Sequence, residues 1–106
     1  MSSFQNVAKL NDIPEDCGVE VEVDGRAIGL YRRGDTVYAL DAVCPHRQGP
    51  LGEGEVDEDV VICPWHGWEF ELHTGQCLTN PSHAVARFGV KVEDGNVYVS
   101  AEEVEE

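Results

Sequence analysis

Basic residues are scarce in this chain of 106 residues: 7 Lys and Arg stand against 21 Asp and Glu, a formal charge of −14. Phosphate binding requires clustered Lys and Arg that displace counterions, so nucleic acid is excluded as a partner. Anionic membrane surfaces, which attract polybasic segments, are excluded on the same ground. Apolar runs are short as well, none approaching the roughly 18 residues of a membrane span. The start Met1-Ser-Ser-Phe4-Gln-Asn has neither the charged nor the apolar region of a secretory signal. A soluble, cytoplasmic protein is expected. Also missing are a separate nucleophile–base pair, a phosphate-binding Gly loop and any segment with helical periodicity over three turns. An enzyme acting alone is therefore not expected.

The hydrophobic share of 42% opposes disorder despite the acidity. It is arranged with a period of two. Val19-Glu-Val21-Glu-Val23 alternates apolar and acidic residues like a half-buried strand. Asp24-Gly25 then supplies a tight turn into Ala27-Ile28-Gly29-Leu30-Tyr31. Thr36–Leu40, Val60–Ile62, Trp68–Leu72, Val90–Val92 and Val97–Val99 read as further strands, with Asp94-Gly95-Asn96 as a second hairpin turn. Short strands at close spacing predict one all-β domain over 1–106, a sandwich or small barrel. The acidic tail 101–106 is expected to fray.

The four cysteines are Cys17, Cys44, Cys63 and Cys77. Without a secretory context, paired spacings point to metal or redox chemistry more than to disulfides. Two segments carry such pairs: Cys44-Pro45-His46 and Cys63-Pro64-Trp65-His66, each directly after an apolar stretch. A Pro behind each Cys stiffens the turn and removes a backbone donor. Two mixed thiolate–imidazole pairs form a converging four-ligand site. Zinc sites more commonly group Cys with Cys and His with His, while thiolates also suit iron–sulfur clusters. A zinc-binding structural module thus stays open on the donor chemistry alone.

The pattern Cys44-x-His46-x₁₆-Cys63-x₂-His66 resembles the signature of Rieske-type [2Fe–2S] proteins, in which two His replace two Cys on one iron. The resemblance extends through Gly49-Pro50-Leu51, Gly67-Trp68-Glu69-Phe70, Thr74-Gly75 and Asn80-Pro81, the last where the family has a third loop. It implies an antiparallel β-sandwich with two cluster-binding loops, about 44–51 and 63–70, at one end. It also implies one [2Fe–2S] cluster, with Cys44 and Cys63 on the inner iron and His46 and His66 on the outer. Cluster and ligands together would be neutral when oxidised and −1 when reduced. The implied role is a one-electron carrier, a ferredoxin passing electrons from a flavin reductase to a terminal oxygenase. A small subunit of a nitrite reductase-like enzyme is the alternative.

Departures from high-potential relatives are informative. The extra Cys that those proteins carry in each loop is replaced by Gly49 and Trp65, and their Ser and Tyr donors by Trp68 and Phe70. Fewer donors toward the reduced cluster lower the potential. Leu51 and Pro81 are expected to exclude water, Trp65 and Trp68 to pack or shield, and Arg47 is a candidate partner contact. Cys17, Cys77, His73 and His83 have no paired spacing and are expected to have no role. The acidic run Glu53–Asp59 is expected to be a solvated loop, or else to lie near the cluster tip and steer partners with basic docking surfaces.

Overall fold

The computed structural model describes residues 4–44, 49–65 and 67–104. His46, Arg47 and His66 lie outside the described residues. Among the described residues the regular structure is strand, apart from 3-10 turns at Leu10–Asp12 and Leu51–Glu53. The strands are β1 (Gln5–Lys9), β2 (Val19–Val23), β3 (Arg26–Arg33), β4 (Thr36–Asp41), β5 (Glu55–Asp57), β6 (Val60–Ile62), β7 (Glu69–Glu71), β8 (Arg87–Glu93) and β9 (Asn96–Val104). They form a six-stranded sheet in the order β1-β9-β8-β4-β3-β2 and a three-stranded sheet in the order β5-β6-β7. The named strand pairs are antiparallel.

Turn chemistry sets the register. Asp24 and Gly25 have φ of 51° and 83°, and Asp94 and Gly95 have 53° and 77°. Two successive positive φ angles match the twist of flanking strands and close a two-residue hairpin. The turn pairs Val23 with Arg26 and Glu93 with Asn96.

Strand β3 is buried on both faces, and parity explains why. Ile28 and Leu30 face one core with Val37, Ala39, Phe88, Val97 and Val99. Tyr31 and Leu40 point the other way, into a second core shared with Leu51, Val56, Val61, Phe70 and Leu72. That second core lies between the two sheets, and Cys44, Cys63 and Cys77 belong to it. Of the sandwich and small barrel that the period-two pattern allows, the sandwich implied by the resemblance is the architecture observed.

Two expectations need correction. Residues 101–104 do not fray: they complete β9, the longest strand, with Val104 opposite Arg87. The acidic run is not one loop, because Glu55–Asp57 is β5, whose Val56 is buried while its two acids face out. Its turn, with Glu58 at φ 56°, closes the end of β6 opposite to Cys63. There Asp59 faces Arg33 at 3.8 Å. The turn at 57–59 therefore points away from the second ligand loop, whereas Glu55 lies opposite Ile62, next to Cys63.

Tyr31 ties the sheets together. Its buried hydroxyl donates to the Leu51 carbonyl at 2.7 Å, joining β3 to the turn that follows the first ligand loop. Burial, and after it the charges of Asp41, Cys63 and Glu20, pushes the phenol far above the ordinary tyrosine range, so it stays a donor. Tyr31→Phe removes this bond and should cost about 1 kcal/mol. Thermal unfolding should show Tm lower by about 4–8 °C; an unchanged Tm would contradict the role given to this bond.

Candidate metal centre

Three loops leave the core between the sheets, and each starts from a buried cysteine whose backbone N–H reaches across the base of its own loop. Cys44 N–H donates to the Gly49 carbonyl at 2.9 Å, Cys63 N–H to the Trp68 carbonyl at 2.7 Å, and Cys77 N–H to the His83 carbonyl at 3.0 Å. The first two bonds span the same separation in sequence. Their sequence neighbours explain the closure. Val43 and Pro50 make an isolated antiparallel bridge at the foot of the first loop. Asp41 accepts the Val43 N–H at 3.0 Å and steadies the exit from β4. The second loop is the tip of the β6–β7 hairpin, with Ile62 opposite Glu69 and Gly67 at φ 71°.

Cys44 and Cys63 are 0% and 1% exposed, and no cysteine of the chain is in a disulfide. The loops that carry them meet. A methyl group built at Gly49 would stand 2.9 Å from the Cys63 Sγ and 3.1 Å from the Trp65 Cβ. Gly49 is thus required by close approach: its backbone passes over the Cys63 sulfur, with Trp65 resting against it. A Cβ at Gly49 would lie 3.1 Å from the Trp65 Cβ, so the two positions where the high-potential relatives carry a disulfide face each other here. Two thiols buried in one apolar core suit the inner iron of an iron–sulfur cluster, for which soft sulfur donors are preferred. Among the described residues, no group of three or more His, Cys, Asp and Glu gathers to hold a metal ion. The imidazole partners expected from the sequence, His46 and His66, fall outside the described residues.

The third loop is visible in the sequence only through Asn80-Pro81. Its organiser is Gln76, whose side-chain amide donates to the carbonyls of Cys77, Pro81 and His83 at 3.3, 2.9 and 2.9 Å. The Asn80 N–H points at the Cys77 Sγ, 3.3 Å away. Cys77 is therefore a buried structural thiol holding a loop. The loop leans on the second one: the Glu69 N–H donates to the Thr79 hydroxyl at 3.0 Å, and the rings of Trp68 and His83 lie 5.4 Å apart. Nothing in the sequence marks Gln76, because its role depends on the path of the chain around it.

Other expectations divide. Leu51 is fully buried beside the two cysteines, as expected of a residue that excludes water, whereas Pro81 is exposed. Trp68 packs against the core, and Trp65 is half exposed. Phe70 is buried and has no hydroxyl. His73 is exposed, with its ring edge-on to Tyr38. Cys17 is half-buried opposite Glu55. Burial and then Asp16 push its thiol up, the reverse of the activation a reactive thiol needs. No helix among the described residues is long and apolar enough to cross a membrane.

Comparison with known proteins agrees with this geometry. Residues 3–100 match the family described as Rieske [2Fe-2S] domain. The chain is 38% identical to ferredoxin CarAc of Metapseudomonas resinovorans, over 76% of each protein. It is 33% identical to the ferredoxin component of naphthalene 1,2-dioxygenase/salicylate 5-hydroxylase systems of a Ralstonia species, over 92% of this chain and 94% of that one. A chain in the complex of reduced oxygenase and oxidized ferredoxin in carbazole 1,9a-dioxygenase superimposes with a TM-score of 0.86 at 33% identity, covering 97% of both. The chain therefore belongs to the Rieske [2Fe–2S] domain family and is an electron carrier with one [2Fe–2S] cluster, not a catalyst in its own right.

Proposed function

We propose that residues 1–106 act as one Rieske unit, the ferredoxin component of an oxygenase system, taking single electrons from a flavin reductase and giving them to a terminal oxygenase in the cytoplasm. Cys44 and Cys63 would hold one iron as thiolates, and His46 and His66 would hold the other as imidazoles. The observation that carries this reading is the pair of equivalent loops, each closed from its own buried cysteine and pressed together at Gly49. When bound, the cluster supplies one-electron chemistry at a potential set by its donors and surroundings.

The residues around the cysteines do the rest. Leu51, Val61 and Phe70 keep water from the thiolates. The N–H groups of Cys44 and Cys63 are committed across their loop bases. The Tyr31 hydroxyl is committed to Leu51, and Phe70 offers no hydroxyl. Without hydroxyl groups at positions 68 and 70 to donate toward a cluster that gains negative charge on reduction, the oxidised form is favoured and the potential falls. A midpoint at the low end of the Rieske range, about −150 mV to around zero, is expected from a redox titration followed by visible absorption. A midpoint near +300 mV would contradict this account.

Electron transfer from a flavin reductase to a Rieske oxygenase through this chain, with substrate hydroxylated only when all three are present, is the expected functional result. Stable assembly with a large nitrite-reducing subunit, and no turnover with the oxygenase, would assign the chain to the nitrite reductase role instead. A colourless protein holding one zinc ion would overturn both.

A further inference from the structure

The segment that leads from β4 into the first ligand loop satisfies its backbone donors one by one. The Asp41 N–H donates to the Ala86 carbonyl at 2.9 Å, the Ala42 N–H to Ala27 at 3.1 Å and the Cys44 N–H to Gly49 at 2.9 Å. Val43 alone of these four residues is met by a side chain: its N–H donates to the Asp41 Oδ1 at 3.0 Å. The next residue, Cys44, is fully buried. The other foot of the loop is gripped at the Leu51 carbonyl by the Tyr31 hydroxyl, and the Asp41 charge is felt at that hydroxyl.

Asp41 is itself aimed. Its Oδ2 lies 3.7 Å from the Arg26 Nη2 at the start of β3. The guanidinium is held from two further sides. Its Nη1 donates to the Glu103 Oε2 at 3.3 Å, and its Cζ stands 4.8 Å from the centre of the Phe88 ring. A bulge makes this possible. From the pair of Val90 with Val99 to the pair of Phe88 with Glu103, β8 advances two residues and β9 four, which puts Glu103 opposite Phe88. Inside that bulge the Ser100 hydroxyl accepts the Glu102 N–H at 3.2 Å. Bulges that re-aim a side chain recur beside functional sites.

We propose that Asp41 is a positioning residue of the cluster site: its carboxylate fixes the Val43 amide beside Cys44, and Arg26, held by Glu103 and the Phe88 ring, aims that carboxylate. This rests on the reading of Cys44 as a cluster ligand and adds the residues that act through it. The side chains of Arg26, Asp41 and Glu103 are 40%, 31% and 53% exposed. Ion pairs this open to solvent add little stability, so the effect of the network is geometric. Cys44 follows Val43 directly, and a rotation of the Val43 amide turns the Cys44 Cα–Cβ bond and carries the sulfur with it. Groups that orient a ligand in this way account for about 10- to 100-fold in metal affinity. The acidic end of β9 thereby acquires a use in the site.

The test is the rate at which the oxidised holoprotein bleaches in excess iron chelator, read beside the electron paramagnetic resonance line width of the reduced protein. Asp41→Ala removes the acceptor and should bleach about 10-fold faster or more. Its lines should broaden, because the Cys44 sulfur then takes several positions. Asp41→Asn keeps an acceptor oxygen for the Val43 N–H and should restore the native line width and most of the native rate. Arg26→Met keeps its stem over Phe88 and should bleach about 2- to 5-fold faster. Added to Asp41→Ala it should change nothing further, since it acts through the carboxylate. Lys91→Met breaks a 3.5 Å pair with Glu93 towards the other end of β8 and should leave both readings native.

An Asp41→Ala protein with a lower Tm but native rate and line width would show a structural contact only and overturn the proposal. So would an Arg26→Met effect that persists in full without the carboxylate. Where Asp41→Ala does not fold, Arg26→Met decides, and a native rate in it is the contrary result. A native chain that is colourless contradicts the cluster reading itself; a coloured one whose Asp41→Ala variant bleaches at the native rate contradicts the positioning role alone.

Discussion

Cys63→Ala, and equally Cys44→Ala, should purify colourless and without iron. Each substitution removes one of the two proposed thiolate ligands, both buried in the same apolar core. Cys77 is buried in the same core, but its sulfur faces the Asn80 N–H within the third loop. Cluster binding contributes to folding when the ligands belong to loops that cannot close on their own. Both variants should therefore also lose thermal stability, and hydrogen exchange should be fastest at 44–51 and 63–68. Cys17→Ala, outside the core between the sheets, should keep its full visible spectrum. Iron analysis and absorption decide the matter. A Cys63→Ala protein that retains the native spectrum would contradict the ligand assignment.

Gly49→Ala should have the second largest effect, although it adds one methyl group and removes no ligand. That methyl would stand 2.9 Å from the Cys63 Sγ and 3.1–3.2 Å from Cβ and Cγ of Trp65. Ordinary carbon contacts lie at about 3.5–4.0 Å, so sulfur or loop must move. Overpacking of this kind costs about 1–3 kcal/mol, and here the displacement falls on a ligand atom. The expected result is incomplete iron loading together with a Tm lowered by roughly 5 °C or more. Gly95→Ala is the control: φ there is 77° but nothing lies within 4 Å. It should cost stability through backbone strain alone and leave iron content untouched. Full iron and an unchanged Tm in Gly49→Ala would refute the close packing of the two loops.

Local features of the fold are legible in the sequence. Alternation in Val19–Val23 and the Asp-Gly turns set strand positions and register, because side-chain period and positive φ are local properties. The ligand pairs are legible because four donors at fixed spacing on Pro- and Gly-marked loops have few other uses. Long-range features are not. β5 hides in an acidic run because only Val56 of its three residues faces inward. The end of β9 reads as an acidic tail because Glu102, Glu103 and Val104 are all exposed, so the apolar alternation stops before the strand does. The Tyr31–Leu51 bond and the Gln76 staple join residues whose proximity only the folded chain creates.

The central claim is that one iron is held by Cys44 and Cys63 and the other by His46 and His66. Pulsed electron paramagnetic resonance on the reduced protein, with ¹⁵N placed in histidine alone, tests it most directly. The account predicts strong nitrogen couplings from both imidazoles, with one lost in His46→Cys and one in His66→Cys. A reduced signal that carries no histidine coupling would mean a cluster held by other donors, and would contradict the account.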